Sequence, residues 1–423
     1  MIDFLKKYSV KTLNEKSDFF VSVGHFLFGI AIFYGHYVAL LYCGTIFLIG
    51  FLYVFLNKDQ DHRLLYVSAY WVGAEVFLRM TNATPFYELC RYGLIFLFVA
   101  GIFFHHFNAS AKWYFYYLAA LIPGLIVGVL VLDKPIYSKI VFDFLGPLLL
   151  AVASVYCLRK KVRFENIHQI LCFLKWPVFA CVGYLFILHL NLSFLKFNTE
   201  SNFYVTANYG PNQVATLFGF SVFILFAHFI QRPFKSWYTL FDATALAYIF
   251  YLCLLTFSRG GTIVCLVICL IFMGQVYFGS KYFFNQNQVL FKFGGFLFLG
   301  ILVFVMVTLK TDGLIIKRYT NQSSNGKARS ESKFGRKKLV AYELSLFAKH
   351  PILGSGLGYG KQNSTNVFGK KISTHNELSR LLAEHGLFGL LAACLMLFVP
   401  LVFYQTDKSN LYFWAFYLFC LLT

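Results

Sequence analysis

Three patches of this sequence bring together residue types able to act on a phosphorylated or hydroxylated ligand. The first is Tyr209-Gly210-Pro211-Asn212 and the second is Ser258-Arg259-Gly260-Gly261. The third begins at His350-Pro351-Ile352-Leu353-Gly354-Ser355-Gly356-Leu357-Gly358, continues at Thr374-His375-Asn376-Glu377 and ends at Glu384-His385-Gly386. Arg259 carries a permanent charge on a planar fork of donors that suits phosphate oxygens. The glycines beside it let the backbone approach a ligand closely. An equal reading is an arginine at the membrane edge that snorkels to the headgroups while the glycines make a tight turn. The alternating glycines at 354, 356, 358 and 360 follow no strand pattern and sit in no βαβ unit, so a glycine-rich turn fits them better than a dinucleotide fingerprint. Thr374-x-x-Glu377 has the spacing of a capping box, followed by Leu378, Leu381 and Leu382 on one helical face. That assigns Glu377 a structural role first. It also puts His375 in the first helical turn, where the dipole favours neutral imidazole. A neutral histidine is a competent general base, although in isolation it reads more readily as a polar loop residue.

The remaining reactive residue types form no comparable pattern. The ten cysteines lie nearly all in apolar runs and include no C-x-x-C pair, which marks them as small buried hydrophobes. Cys265 and Cys269 are four apart, but no histidine or carboxylate lies beside them in sequence, and no H-E-x-x-H occurs. The expectation is that there is no metal site. Glu75 and Arg79 are four apart on one helix face and can pair. Arg91, Asp143 and Asp242 also lie at or within apolar runs, and such residues are functional candidates, with helix-to-helix pairing an equally good account.

The elements that must position these patches are membrane helices. Of 423 residues, 59% are hydrophobic and 13% charged, with 53 Phe and 28 Tyr. A soluble chain is about 25% charged and could not hide this much apolar surface. A soluble enzyme, a disordered chain and a disulfide scaffold are excluded. A spanning helix needs about 20 apolar residues. Spans are expected at 20–35, 37–56, 64–80, 90–106, 113–132, 139–157, 170–190, 212–230, 238–257, 261–279, 289–309 and 382–404, with a tight turn near Gly35-His36. A last apolar run, 411–423, is too short for a full crossing, and the N-terminal stretch lacks the features of a cleavable signal peptide.

The net charge of +19 could suggest a polyanion partner. Sorted by side, it reads instead as topology. With the N-terminus cytoplasmic, the inner loops collect Lys6, Lys7, Lys11, Lys16, Lys58, Arg63, Lys112, Arg159, Lys160, Lys161, Arg163, Arg232, Lys235, Lys281 and Lys408. The short outer loops hold only Lys134, Lys139, Lys196 and Arg259. This asymmetry sets the orientation and argues against nucleic acid as a partner. It sends the polar segment 310–381 outside the cytoplasm and divides the chain into a bundle of about 11 spans (1–309), a long outer loop (310–381) and a C-terminal membrane part (382–423). A loop this long is usually functional. Thr320 to Lys333 is expected to be a mobile polar stretch. Leu339, Tyr342, Leu346 and Phe347 fall at helical spacing, so 336–349 is predicted to be an amphipathic helix on the membrane surface or on the bundle.

Taken together, the patches resemble the bacterial O-antigen ligase/O-antigen polymerase superfamily of membrane glycosyltransferases. The resemblance rests on G-P-N at 210–212, S-R-G-G at 258–261, and Arg336 followed by H-P-x-x-G-x-G from His350, His375-Asn376-Glu377 and E-x-G-x-x-G from Glu384. It covers about 210–390, while residues 1–200 match only in hydropathy. It implies an all-α, GT-C-like polytopic protein of about 12–13 transmembrane helices, with one large periplasmic loop containing amphipathic helices. It further implies inverting, metal-independent glycosyl transfer without a cofactor at the periplasmic face of the inner membrane. The donor would be a glycan on a polyprenyl diphosphate, and the acceptor either lipid A-core (a ligase) or a growing glycan (a polymerase). The resemblance assigns Arg259 and Arg336 to the diphosphate and His375 to the acceptor hydroxyl. Asn212, Ser258, Gly260, Gly354, Gly356, Asn376, Glu377 and Glu384 would form the supporting motif positions. A lipid-linked oligosaccharide flippase is the competing class, but it would concentrate polar groups at the bilayer midplane in repeated halves, and no internal repeat is found.

Overall fold

The computed structural model describes residues 15–105, 108–132, 137–191, 197–232, 236–279, 286–327, 336–369, 376–406 and 411–423. Among these the regular elements are α-helices with short 3₁₀ turns, and there is no strand. In chain order they are α1 (Glu15–Tyr34), α2 (His36–Leu56), α3 (Arg63–Met80), α4 (Leu89–His105), α5 (Lys112–Val131), α6 (Tyr137–Cys157), α7 (Phe164–Asn191) and α8 (Pro211–Gln231). There follow α9 (Trp237–Leu255), α10 (Arg259–Gly279), α11 (Gln286–Lys310), α12 (Leu314–Tyr319), α13 (Arg336–Lys349), α14 (Tyr359–Phe368), α15 (Glu377–Thr406) and α16 (Phe413–Leu422).

Each apolar run expected to span the membrane is a helix. Among the described residues nine are long and apolar enough to cross: α1, α2, α5, α7, α8, α9, α10, α11 and α15. The other expected spans fall short of that count. Helix α3 carries Arg63, Glu75 and Arg79, α4 has 17 residues, and α6 enters the count only from Val141, where its described side chains begin. Large apolar side chains stay exposed along whole helices, as Phe291, Phe298, Ile301 and Leu309 do on α11. Water does not tolerate such a surface and lipid does. The chain is an all-helical polytopic membrane protein.

Two compact units make up the chain. The first comprises Met1–Tyr87, Val162–Arg329 and Ser409–Thr423, and the second Glu88–Lys161 and Ser330–Lys408. In the first unit α1 and α3 pack on α7, α8 contacts both α9 and α10, and α11 packs on α9. Helix α8 is buried along nearly its whole length, with Phe218, Phe223 and Phe226 fully enclosed. The short last apolar run is a helix packed on α10. The buried hydroxyl of Tyr412 just before it accepts a hydrogen bond from Gln231 Nε2 at 2.7 Å.

In the second unit α5 packs along α15, α6 contacts α4 and α5, and α13 lies on α15. Tyr117, Ala120, Leu121, Ala151, Leu381, Ala392 and Ala393 form its core. Helix α13 has the bounds read from periodicity and buries Leu339 and Leu346, so it is an amphipathic helix resting on the bundle. Between those leucines it also buries Glu343. The polar segment 310–381 is thus shared, with α12 in the first unit and α13 and α14 in the second. Of the stretch expected to be mobile, residues 320–327 turn back on themselves, with the Ser323 N–H donating to the Lys327 carbonyl at 2.8 Å. Residues 328–333 lie outside the described residues.

Candidate active site

Helix α9 ends at Leu255, residues 256–258 turn, and α10 opens at Arg259. The turn is held by its own polar groups. The Ser258 N–H donates to the Thr256 hydroxyl at 3.1 Å, and the Ser258 carbonyl accepts from the Thr262 hydroxyl at 3.1 Å. Arg318 of α12 braces it from outside, donating to the carbonyls of Phe257 and Thr199 at 3.0 Å and to the Ser201 hydroxyl at 3.3 Å. Arg318 is therefore committed to structure. Arg259 is half-buried, and no carboxylate pairs with it among the described residues. Its neighbour Tyr319 is pushed up to about 12 by burial, against the pull of the Thr262 hydroxyl and of the Arg259 and Arg318 charges. Its phenol stays protonated at physiological pH and able to donate.

The two glycines after Arg259 differ sharply. A Cβ on Gly261 would lie 2.6 Å from the Ala215 carbonyl carbon and 2.7 Å from its oxygen, so this glycine is demanded by the packing of α10 on α8. A Cβ on Gly260 would meet nothing within 4 Å. Only Gly260 leaves open space. The Gly261–Ala215 contact falls near the beginning of both helices, and Gly219 repeats it one turn on, with a Cβ there 2.7 Å from the Gly261 carbonyl and 3.1 Å from Cys265 Cβ. Helices α8 and α10 therefore run parallel, with their N-termini at one end of the unit.

At that end Pro211 occupies the first position of α8, where a missing N–H costs nothing. Asn212 is exposed on the first turn, and Ser258 is buried. Beside Tyr209, the Arg79 guanidinium hydrogen-bonds the tyrosine, pairs with Glu75 at 2.5 Å and stacks 3.9 Å over the Tyr87 ring. The expected Glu75–Arg79 pair is present. Two parallel helix N-termini supply the positive ends of two dipoles, although at α8 Pro211 has no N–H and the Gln213 and Val214 amides donate to the Gly210 carbonyl at 3.1 and 3.2 Å. Arg259 adds a full charge. Such a place accepts an anion, a phosphate oxygen in particular.

In the second unit the motif residues do something different. Helix α15 breaks at Gly386, with φ +62° and ψ −139°. The break frees carbonyls, and the stretch 351–357 takes them. The Ser355 and Gly356 N–H groups donate to the carbonyls of Ala383 and Glu384 at 2.8 and 3.1 Å, and the Leu387 N–H donates back to Pro351 at 2.8 Å. Gly354 and Gly356 have φ of +75° and +96°, and a Cβ on either would strike backbone, of Glu384 in one case and of Gly128 and Val127 in the other. The glycine repeat is a turn locked onto a helix break. Glu384 is buried, its Oε1 accepts the Gly358 N–H at 3.0 Å, and its Oε2 lies 3.9 Å from Arg380 Nε. With Asp143, Glu343, Lys361 and Arg380 it lines a polar cavity of about 40 Å³. Asp143 pairs with Lys361 at 3.7 Å, and Glu343 accepts from the Ser379 hydroxyl at 2.5 Å.

At the start of α15, Asn376 caps the helix, its Oδ1 accepting the N–H groups of Leu378 and Ser379 at 3.1 and 3.2 Å. Glu377 is the first helical residue, exposed and paired with Arg380 at 2.5 Å. The expected Thr374–Glu377 capping box falls on Thr374, outside the described residues. His375 lies outside them too. Arg336 opens α13, but its side chain is not among those described. The structure thus gathers Asn212, Ser258, Arg259 and Gly260 in the first unit, and gathers Gly354, Gly356 and Glu384 in the second. The sequence reading missed Arg318, Glu343, Lys361 and Arg380. Only Arg380 had a local signal, standing three after Glu377 and four before Glu384.

Residues 244–394 match the family model described as O-antigen ligase. That stretch holds the 256–258 turn, Arg259, helices α12 to α14 and the broken start of α15. No curated protein and no solved structure matches the chain.

Proposed function

Because residues 244–394 are a domain of the O-antigen ligase/polymerase superfamily, we propose that this chain is an inner-membrane glycosyltransferase. In this reading it moves a glycan from a polyprenyl-diphosphate carrier to an acceptor at the periplasmic face, with lipid A-core as the acceptor and hence as an O-antigen ligase. The observation that carries the reading is the contrast between two arginines. Arg318 spends its donors on the turn before α10, and Arg259 opens that helix with no carboxylate partner among the described residues.

The chemistry follows from charge. As the glycosidic bond to the diphosphate breaks, negative charge grows on the leaving oxygen. A guanidinium and helix-start amides held in place before the reaction stabilise that charge without reorganising. Arg259 does this in our reading, with Arg336 as the second cation and no step assigned to a metal. His375 takes the proton of the attacking acceptor hydroxyl, and attack on the face opposite the diphosphate inverts the anomeric centre. The N-terminus is cytoplasmic, which puts the start of α10 on the periplasmic side.

Arg259→Ala and His375→Ala, expressed in a deletion strain, should each abolish glycan on lipid A-core while the protein inserts in wild-type amounts. Wild-type glycan from either variant would remove that residue from the site. The deletion strain separates the acceptors. Lipid-linked polymer accumulating with bare core identifies a ligase, and core carrying a single repeat identifies a polymerase.

A further inference from the structure

The first unit holds a second, fully buried constellation at the other end of α8. His168 and Cys172 are four apart on α7 and so share a face, and His228 meets them from α8. One ligand atom from each lies within 4.8 Å of the others, and all three residues are buried. The two imidazole centroids are 3.9 Å apart. His228 has no exposed surface, and neither of its ring nitrogens has a hydrogen-bond partner, nor does His168 Nδ1. Buried polar nitrogens without partners are costly, and those of two rings beside a buried thiol need an explanation.

A second set, Asp18, His228 and Asp242, has similar spacing but is already used. Lys175 donates to both Asp18 oxygens at 2.8 Å, and Arg232 bridges Asp18 at 2.8 Å and Asp242 Oδ2 at 2.5 Å. These two carboxylates and two cations balance each other. Arg232, counted above as a cytoplasmic loop charge, is in fact buried in this network. What the network leaves over is Asp242 Oδ1, also without a partner.

We propose that His168, Cys172 and His228 bind one thiophilic metal ion, zinc(II) or copper(I). Two imidazoles and a thiolate are the donors such ions select. Bond lengths of about 2.0–2.3 Å put ligand atoms about 3.3–3.8 Å apart, so the pocket closes by about an ångström on binding. Cys172 releases its proton as the metal–sulfur bond forms, and the imidazoles bind as neutral rings. Copper(I) with one thiolate adds no net charge to the balanced quartet, and zinc(II) adds one. The ion would tie α7 to α8. It takes no part in glycosyl transfer, since His228 stands 17 residues beyond Pro211, about 25 Å along the helix at about 1.5 Å per residue.

The test uses the full chain purified in detergent, stripped with chelator and reloaded with zinc(II) or copper(I) separately. Metal per chain is read by mass spectrometry, and cobalt(II) loading is read by thiolate-to-cobalt charge-transfer absorption. We expect one ion per chain in at least one arm, a cobalt–thiolate band, and loss of both in Cys172→Ser and in His228→Gln. Cys265→Ser, a buried cysteine of the same unit on α10, should keep them. Wild-type protein that retains neither metal, or Cys172→Ser that binds like wild type, would overturn the proposal. Should both site variants fail to fold, the wild-type cobalt spectrum decides, because a bound ion without a thiolate band equally overturns it.

Discussion

Gly260 and Gly261 are adjacent in sequence and alike in chemistry, and the structure expects opposite outcomes from the same substitution. In Gly261→Ala the new methyl begins 2.6 Å from the Ala215 carbonyl carbon. Carbon contacts are comfortable at about 3.5 Å, so α10 and α8 must part by about 1 Å at this crossing. Overpacking of this kind costs about 1–3 kcal/mol, which lowers Tm by roughly 2–12 °C in a unit of this size. The crossing lies two residues from Arg259, so the guanidinium moves with it. A misplacement of about 1 Å in a positioned group costs about 100-fold in rate. Gly260→Ala meets open space and gains helix propensity of up to about 1 kcal/mol. The assay pairs glycan transferred to lipid A-core in a deletion strain with thermal unfolding of each variant in detergent. We expect Gly261→Ala to lose about 100-fold in transfer and several degrees in Tm, and Gly260→Ala to match or exceed wild type in both. If Gly260→Ala abolished transfer at unchanged Tm, that glycine would be contacting the donor. Wild-type behaviour of Gly261→Ala would refute the packing account.

Arg318→Lys should lower Tm, because one ammonium nitrogen cannot replace three guanidinium nitrogens that each meet a different residue's oxygen. With about 0.5–1.5 kcal/mol per bond the loss is about 2–4 kcal/mol, whereas Arg259→Lys should leave Tm unchanged and lose transfer. An unchanged Tm for Arg318→Lys would mean the turn holds itself. Asn376→Ala removes a cap and should cost about 1 kcal/mol, with Asn376→Asp close to wild type by thermal unfolding. Equal losses in both variants would point to a role for the amide beyond capping. Glu384→Ala takes the acceptor from the half-buried Gly358 N–H and should cost about 1 kcal/mol, with Glu384→Gln keeping most of the stability. A large drop in Tm for Glu384→Gln would show that the carboxylate charge facing Arg380 carries the stability.

Hydropathy located the helices because a bilayer rewards apolar length whatever the neighbours are. The turn at Gly35-His36, the start of α8 at Pro211 and both bounds of α13 were readable for the same reason, since each depends on residues within one or two turns. Glu75 and Arg79 could be paired in advance because four residues on a helix fix their distance. Where longer range entered, the sequence was silent or misleading. Asn376 was read as a motif position and not as a cap, which is the role its side chain takes at the start of α15. Gly260 and Gly261 are indistinguishable until α8 lies against one of them. The alternating glycines read correctly as a turn, but what the turn locks onto emerged only with the break at Gly386. Glu343 had no assigned role, and the buried Ser379 hydroxyl makes it part of the buried face of α13. Asp18 and Lys175 are 157 residues apart, and Asp18 and Arg232 are 214 apart. Composition and periodicity are sums over neighbours along the chain, so they determine which segments become helices. Which arginine is spent on structure and which is left for an anion depends on contacts between helices distant in sequence, and only the packed structure decides it.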